Sequence, residues 1–88
     1  MRIEEKVPGG KLVCIDVEGA EGRIASIRIT GDFFLHPEET IEKIENALIG
    51  APVNEVATRV ASTLKENDAQ FIGVSPGDIE RMIGKVIS

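Results

Sequence analysis

Two short stretches carry the residue types that could do chemistry, and each poses a choice between a site and a turn. The first is Lys6-Val7-Pro8-Gly9-Gly10-Lys11. Backbone N–H groups of a glycine-rich loop can cradle an anion, and the lysines at its two ends would add positive charge. The stretch lacks the G-x-x-x-x-G-K-S/T spacing of a phosphate-binding loop, and it runs into a strand-like segment instead of a helix. On composition it reads as a flexible turn whose two lysines can still reach a neighbouring chain. The second stretch is Thr30-Gly31-Asp32-Phe33-Phe34-Leu35-His36-Pro37. Gly31 marks a bulge or a close backbone approach at a strand end. In an extended segment Phe33 and Phe34 point to opposite faces. One of them is therefore a candidate interface anchor, unless it covers the second side of a sheet. Asp32 is placed to orient a ligand or partner group or, beside a glycine, to cap a turn.

The remaining candidates are weaker. His36 is the only histidine and is a candidate acid or base near neutral pH. Its place immediately before Pro37, with no Ser, Cys or second His patterned nearby, favours a structural position where the chain enters a helix. Cys14 is the only cysteine. It would need a stabilised thiolate to act as a nucleophile, and no local feature supplies one, so it reads as a small buried or half-buried strand residue. Glu38, Glu42 and Glu45 share a helix face at i, i+4, i+7 spacing, beside Glu39. With Lys43 interspersed, the row reads as a solvated face and not as a cation site. No catalytic constellation emerges, and the residues describe a binding module.

These residues must be positioned by a few short elements. Residues 11–18 alternate, with Val13, Ile15 and Val17 against Cys14, Asp16 and Glu18. Residues 23–30 repeat the pattern, with Ala25, Ile27 and Ile29 against Ser26, Arg28 and Thr30. Gly19-Ala20-Glu21-Gly22 between them is a hairpin connection of the kind glycine permits. Phe33–Leu35 offers a third strand extending the same sheet. Three helices can cover the apolar face. Pro37 is placed as the first helical residue of one, with Glu38 and Glu39 favourable to its dipole. Ile41, Ile44 and Leu48 recur at helical spacing, and Gly50 stops the run. Pro52 opens a second helix with a stripe of Val53, Val56, Val60 and Leu64, ending near Asn67-Asp68. The third begins most sharply: Ser75 as N-cap, Pro76 first in the helix, Asp78 as capping-box acid, and Val74 with Ile79 as a hydrophobic staple. Ile79, Met82, Ile83, Val86 and Ile87 form its buried stripe. Strands followed by helices predict an α+β fold, a short antiparallel sheet of two to three strands backed by about three helices.

At 88 residues this reads as one domain, residues 1–88, near the lower limit of size for independent folding. Such a chain buries only about 60% of the surface its unfolded form exposes, so a partner surface would help it. A single cysteine excludes an internal disulfide and a cysteine-rich metal site. There is no signal-like segment and no apolar run approaching the ~20 residues of a membrane span, which leaves a cytoplasmic protein without membrane contact as the expectation. Through Thr30 five basic residues balance five acidic ones, so the net charge of −5 lies entirely in the later, helical part. An acidic helical half argues against a nucleic-acid surface.

Taken together, Glu5-Lys6-Val7-Pro8-Gly9-Gly10-Lys11-Leu12-Val13 and Ile29-Thr30-Gly31-Asp32-Phe33-Phe34-Leu35-His36-Pro37-Glu38-Glu39 resemble the accessory domain of lipoate–protein ligases. Gly73-Val74-Ser75-Pro76 before a last helix and Ala47-Leu48-Ile49-Gly50 closing the first agree with it, and the resemblance covers almost the whole chain. In that family the domain is fused behind the catalytic domain or made as a separate small chain. Starting at Met1 with the accessory pattern, this sequence resembles the split form. The resemblance implies a heterodimer with a catalytic ligase subunit that uses ATP (with Mg) and lipoate to make lipoyl-adenylate. The acyl group then passes to a lysine on lipoyl domains of 2-oxoacid dehydrogenases or on the glycine cleavage H protein. It implies no catalytic residue and no cofactor bound by this chain alone. Lys6, Gly9, Gly10, Lys11, Gly31, Asp32, Phe33, Phe34 and His36 are the candidate partner-facing and ligand-loop residues. The fold is also similar to iron–sulfur scaffold proteins of the SufE and NifU type. That leaves a sulfur-transfer or assembly adaptor as the alternative, one that would need a free, low-pKa Cys14 thiol.

Overall fold

A computed structural model describes residues 1–87. Its first half is a three-stranded antiparallel sheet of β1 (Arg2–Lys6), β2 (Leu12–Ala20) and β3 (Arg23–Gly31), in the order β1-β2-β3. The chain then forms β4 (Phe34–His36), α1 (Thr40–Leu48), a 3₁₀ turn (Val53–Glu55), α2 (Val56–Glu66), β5 (Gln70–Ile72) and α3 (Pro76–Gly84). The architecture is the expected α+β sandwich, with three helices backing a small antiparallel sheet.

Two strands were not legible in advance, and both change the topology. β1 reads Arg-Ile-Glu-Glu-Lys, too polar to announce itself as a strand, yet it pairs along β2 from Arg2 opposite Asp16 to Lys6 opposite Leu12. β5 is the second. Because β5 exists, β4 does not extend the main sheet: Phe34, Leu35 and His36 pair with Ile72, Phe71 and Gln70 in a separate two-stranded sheet.

Val13, Ile15 and Val17 on β2 are buried as their alternation requires, while Asp16 and Glu18 face solvent. On β3 the expected face is corrected. The register slips between Glu18 and Gly19, which pair with Ser26 and Ile24, so Ala25 is an unpaired extra residue. This bulge reverses the alternation on its far side. Ile24 therefore enters the core and Ala25 is exposed, while Ile29 stays buried and Ile27 half-buried. The hairpin closes more tightly than the four-residue connection read from sequence. Its strands run to Ala20 and from Arg23, leaving Glu21 and Gly22, both at positive φ (55° and 76°), as a two-residue turn. Positive φ at both central positions matches the twist of the flanking strands.

The first helix also starts later than expected. The His36–Pro37 peptide is cis and α1 begins at Thr40, so Pro37 belongs to the turn before it. Ile44 and Leu48 are fully buried from α1, Val56 and Val60 from α2, and Ile79, Met82 and Ile83 from α3. Val53, Leu64, Ile41, Val86 and Ile87 pack around this centre half-buried. The third helix is capped as its sequence demands: the Ser75 hydroxyl accepts from the Asp78 amide at 3.1 Å, and Asp78 accepts from the Ser75 amide at 2.9 Å. The staple residues Val74 and Ile79 both join the core.

Long-range polar contacts tie the layers together. Glu5 on β1 accepts from Arg81 at 2.7 Å and from Lys85 at 2.9 Å, clasping α3 to the sheet. Glu45, assigned from sequence to a solvated row, instead accepts from the Ile29 amide at 2.7 Å and satisfies the open edge of β3. Every buried side-chain nitrogen and oxygen among the described residues has a partner.

Candidate functional site

The fold gathers the two marked stretches at one end of the sheet. Lys6 and Leu12 close the β1–β2 hairpin, and the Val7 amide donates to the Lys11 carbonyl at 3.0 Å. Within the loop the Gly10 amide donates to the Val7 carbonyl at 2.9 Å, and Gly9 has φ of 103°. Proline followed by a glycine at positive φ inside a four-residue bond is a type II turn. The Gly10 N–H is thereby engaged inside the loop, and the turn reading of this stretch holds. Nothing lies within 4 Å of a Cβ built at Gly9 or Gly10, so both face open space.

The second stretch folds back against this hairpin. Asp32 grips Leu12 twice: its carboxylate accepts from the Leu12 amide at 2.6 Å, and its own amide donates to the Leu12 carbonyl at 3.1 Å. Asp32 is thus the turn-capping residue, tying the end of β3 to the start of β2. Gly31 is the close approach its neighbourhood foretold. A Cβ there would stand 2.3 Å from the Leu12 carbonyl oxygen, a separation no side chain tolerates.

The two phenylalanines divide as strand geometry requires. Phe33 turns inward and meets Phe71 edge to face, ring centroids 5.4 Å apart, a favoured arrangement of aromatic quadrupoles. Phe34 turns outward and is 65% exposed, directly across from Ile72 at 53%. Lys11 joins this pair from the hairpin, its Nζ 5.8 Å from the centre of the Phe34 ring. That distance is within cation–π range. Gly73 makes the approach possible, since a Cβ at that position would come within 2.5 Å of the Lys11 Cγ. Beside Phe34 lies an open cleft of about 280 Å³ walled by Ile29, Phe33, Leu35 and Ile41, with Glu38 among its lining residues.

Lys11, Gly31, Asp32, Phe33 and Phe34 are therefore neighbours in space, joined by Phe71, Ile72 and Gly73. Sequence reasoning missed the last three, although Phe71-Ile72 before a glycine was a faint strand signal. Lys6 is exposed where β1 ends, and His36 sits exposed at the far end of β4, opposite Gln70 and two residues from Phe34. No polar or ionic contact joins His36 to the cluster among the described residues. Cys14 is buried in the middle strand between Glu4 and Thr30. Burial, and after it the Glu4 carboxylate, push its thiol above the ordinary value of 9.0. This is the reverse of what an acceptor of sulfur needs. No group of three His, Cys, Asp or Glu among the described residues is arranged to hold a metal ion. No described helix is long and apolar enough to cross a membrane.

The arrangement offers an exposed aromatic–aliphatic pair, a poised ammonium and a rigid turn, all suited to binding another surface. Residues 1–83 match the family described as bacterial lipoate protein ligase C-terminus. Over 44 residues the chain is 39% identical to lipoate-protein ligase A subunit 2 of Thermoplasma acidophilum; the matched region is 50% of this chain and 45% of that protein. The chain thus spans about half the length of the curated relative it matches. Its fold is similar to that of a chain from an archaeal lipoylation system, a bi-partite lipoate protein ligase and its E2 lipoyl domain, also from Thermoplasma acidophilum. That likeness has a TM-score of 0.75 and 23% identity, covering 94% of this chain and 97% of the other.

Proposed function

This chain belongs to the bacterial lipoate protein ligase C-terminus family, and on that premise we propose that it is the non-catalytic accessory module of a lipoate–protein ligase. It acts with a catalytic ligase part in the ATP-dependent activation of lipoate to lipoyl-adenylate, ahead of transfer to a lysine of a lipoyl domain. The observation that carries the reading is the family match, which runs through both marked stretches. What supports it in the structure is that Lys11, Gly31, Asp32 and Phe34 lie together at the hairpin end of the sheet.

In this proposal the hairpin end faces the catalytic part. The turn at Gly9 and Gly10, free of side chains, allows close backbone approach, while Lys6 and Lys11 bring positive charge toward the side where ATP (with Mg) and lipoate are held. Closing the site would exclude water and fix the geometry of the reactants. With the Gly10 amide already engaged, the lysine ammonium groups, and not a backbone cradle, are the anion-facing elements. Asp32 is a positioning residue through its two bonds to Leu12. The sulfur-transfer alternative lacks support, because its one thiol is buried and its pKa raised.

The test is pyrophosphate release from ATP and lipoate by the catalytic part, with and without this chain. Release that depends on both supports an activation module. Equal release without this chain removes that role.

A further inference from the structure

The two edges of the main sheet are finished differently. On β3 the edge is occupied: Ile24 is bonded through its main chain to Gly50 and Ala51, and the Ile29 amide is taken by Glu45. On β1 it is open. Met1 and Val7 bond inward to Val17 and Lys11, and Ile3 and Glu5 lie between them opposite Ile15 and Val13. Alternate residues of an antiparallel ladder turn their N–H and C=O groups away from the partner strand, so those of Arg2, Glu4 and Lys6 point outward. None of these main-chain groups is hydrogen-bonded among the described residues. Ile3, on the helix-backed face of the same strand, is only half-buried at the margin of the core. An open edge beside an incompletely covered apolar residue is a template for one more strand.

Charges on an edge strand ordinarily deter such pairing, and on β1 they deter every two-fold register but one. Only Arg2, Glu4 and Lys6 have outward main-chain groups, so a second copy must pair these residues among themselves. A two-fold axis at Arg2, Glu4 or Lys6 sets each of these residues against its own like charge, and one at Glu5 brings two Glu5 carboxylates together. An axis at Ile3 sets Arg2 against Glu4 on both sides and Ile3 against Ile3. We propose that a second copy of this chain adds to the β1 edge in this register, joining the two main sheets into one across the axis at Ile3. Each Arg2–Glu4 pair exchanges both of its main-chain hydrogen bonds. Arg2 already bonds to Glu4 within the strand at 3.0 Å, so the two copies assemble a square of charges that alternate in sign around its edge. The two Ile3 side chains cover each other on the helix-backed side. The contact is smaller than the roughly 1,200–2,000 Å² of a stable interface, so the dimer is weak and reversible. The pairing stops short of the β1–β2 turn and does not depend on the accessory reading.

The experiment is sedimentation equilibrium of the full chain at low salt, at concentrations up to about 1 mM, where a dimer dissociating on the order of 100 μM is expected. Arg2→Glu and Glu4→Lys each place like charges opposite one another and weaken self-association about tenfold or more, with a smaller loss at high salt. An equimolar mixture of the two variants restores it, because each then presents the charge that the other now faces. Arg2 also pairs with Asp16, so a single variant could lose association by losing its fold, but mixing would not then restore it. A chain that stays monomeric throughout the range overturns the proposal, even if the catalytic ligase part binds at this edge. So does a dimer that both single variants leave intact, or one that mixing two folded variants fails to restore.

Discussion

The helix-backed face of the main sheet and the β4–β5 end of the molecule are built from the same apolar residue types under opposite rules. On the helix-backed face Ile15, Ile44, Leu48, Ile79 and Ile83 are wholly withdrawn from water. At the β4–β5 end Phe34 and Ile72 form a cross-strand pair with more than half of each residue in solvent. Apolar burial drives folding by roughly 25 cal/mol per Å², so the first region holds the fold, while the second retains surface that only another molecule can bury. Apolar residues that hold the fold and apolar residues left in solvent are thus kept apart in a chain of 88 residues.

Substitutions can break that division or sharpen it. The largest effect is expected in the core: Ile15→Ala or Leu48→Ala should cost about 2–5 kcal/mol, read by denaturant unfolding, and a cost below 1 kcal/mol would show the core to be loosely packed. Between the regions lies Gly31→Ala, which drives a Cβ into the Leu12 carbonyl. It should lose about 1–3 kcal/mol and loosen the Asp32 turn, visible as faster amide exchange at Leu12. Ser75→Ala removes the hydroxyl of the capping box and should cost about 1 kcal/mol without altering partner binding. Phe34→Ala should change stability by less than about 0.5 kcal/mol, as surface substitutions do; a larger loss would mean that Phe34 belongs to the core.

The smallest effect concerns pH. Hydrogen bonding to Lys85, aided by the charges of Arg81 and Lys85, holds the Glu5 carboxyl below its ordinary value of 4.5. Because the folded value is the lower one, the clasp contributes fully above the unfolded value and is lost as pH falls through the folded value. Glu5→Gln should therefore flatten the stability profile below about pH 4.5 and leave partner affinity at neutral pH unchanged. An identical acid limb in both proteins would show that the clasp contributes nothing.

Local signals made much of this protein legible from its residues alone. The Ser75–Asp78 capping box, the stripes of α1, α2 and α3, the β2–β3 pairing and the close approach at Gly31 rest on spacing, glycine freedom and cap chemistry within a few residues. The tertiary structure decided the rest, because it depends on partners distant in sequence. Arg2–Lys6 becomes a strand only because β2 offers it an edge. Pairing with β5 takes β4 out of the main sheet. The bulge at Ala25 exchanges Ala25 for Ile24 in the core. Glu45 leaves its solvated row to satisfy the Ile29 amide. The exposed Phe34–Ile72 pair with Lys11 over the Phe34 ring belongs to this second group: the three residues share no local pattern, and only the packing of the hairpin against the short sheet brings them together.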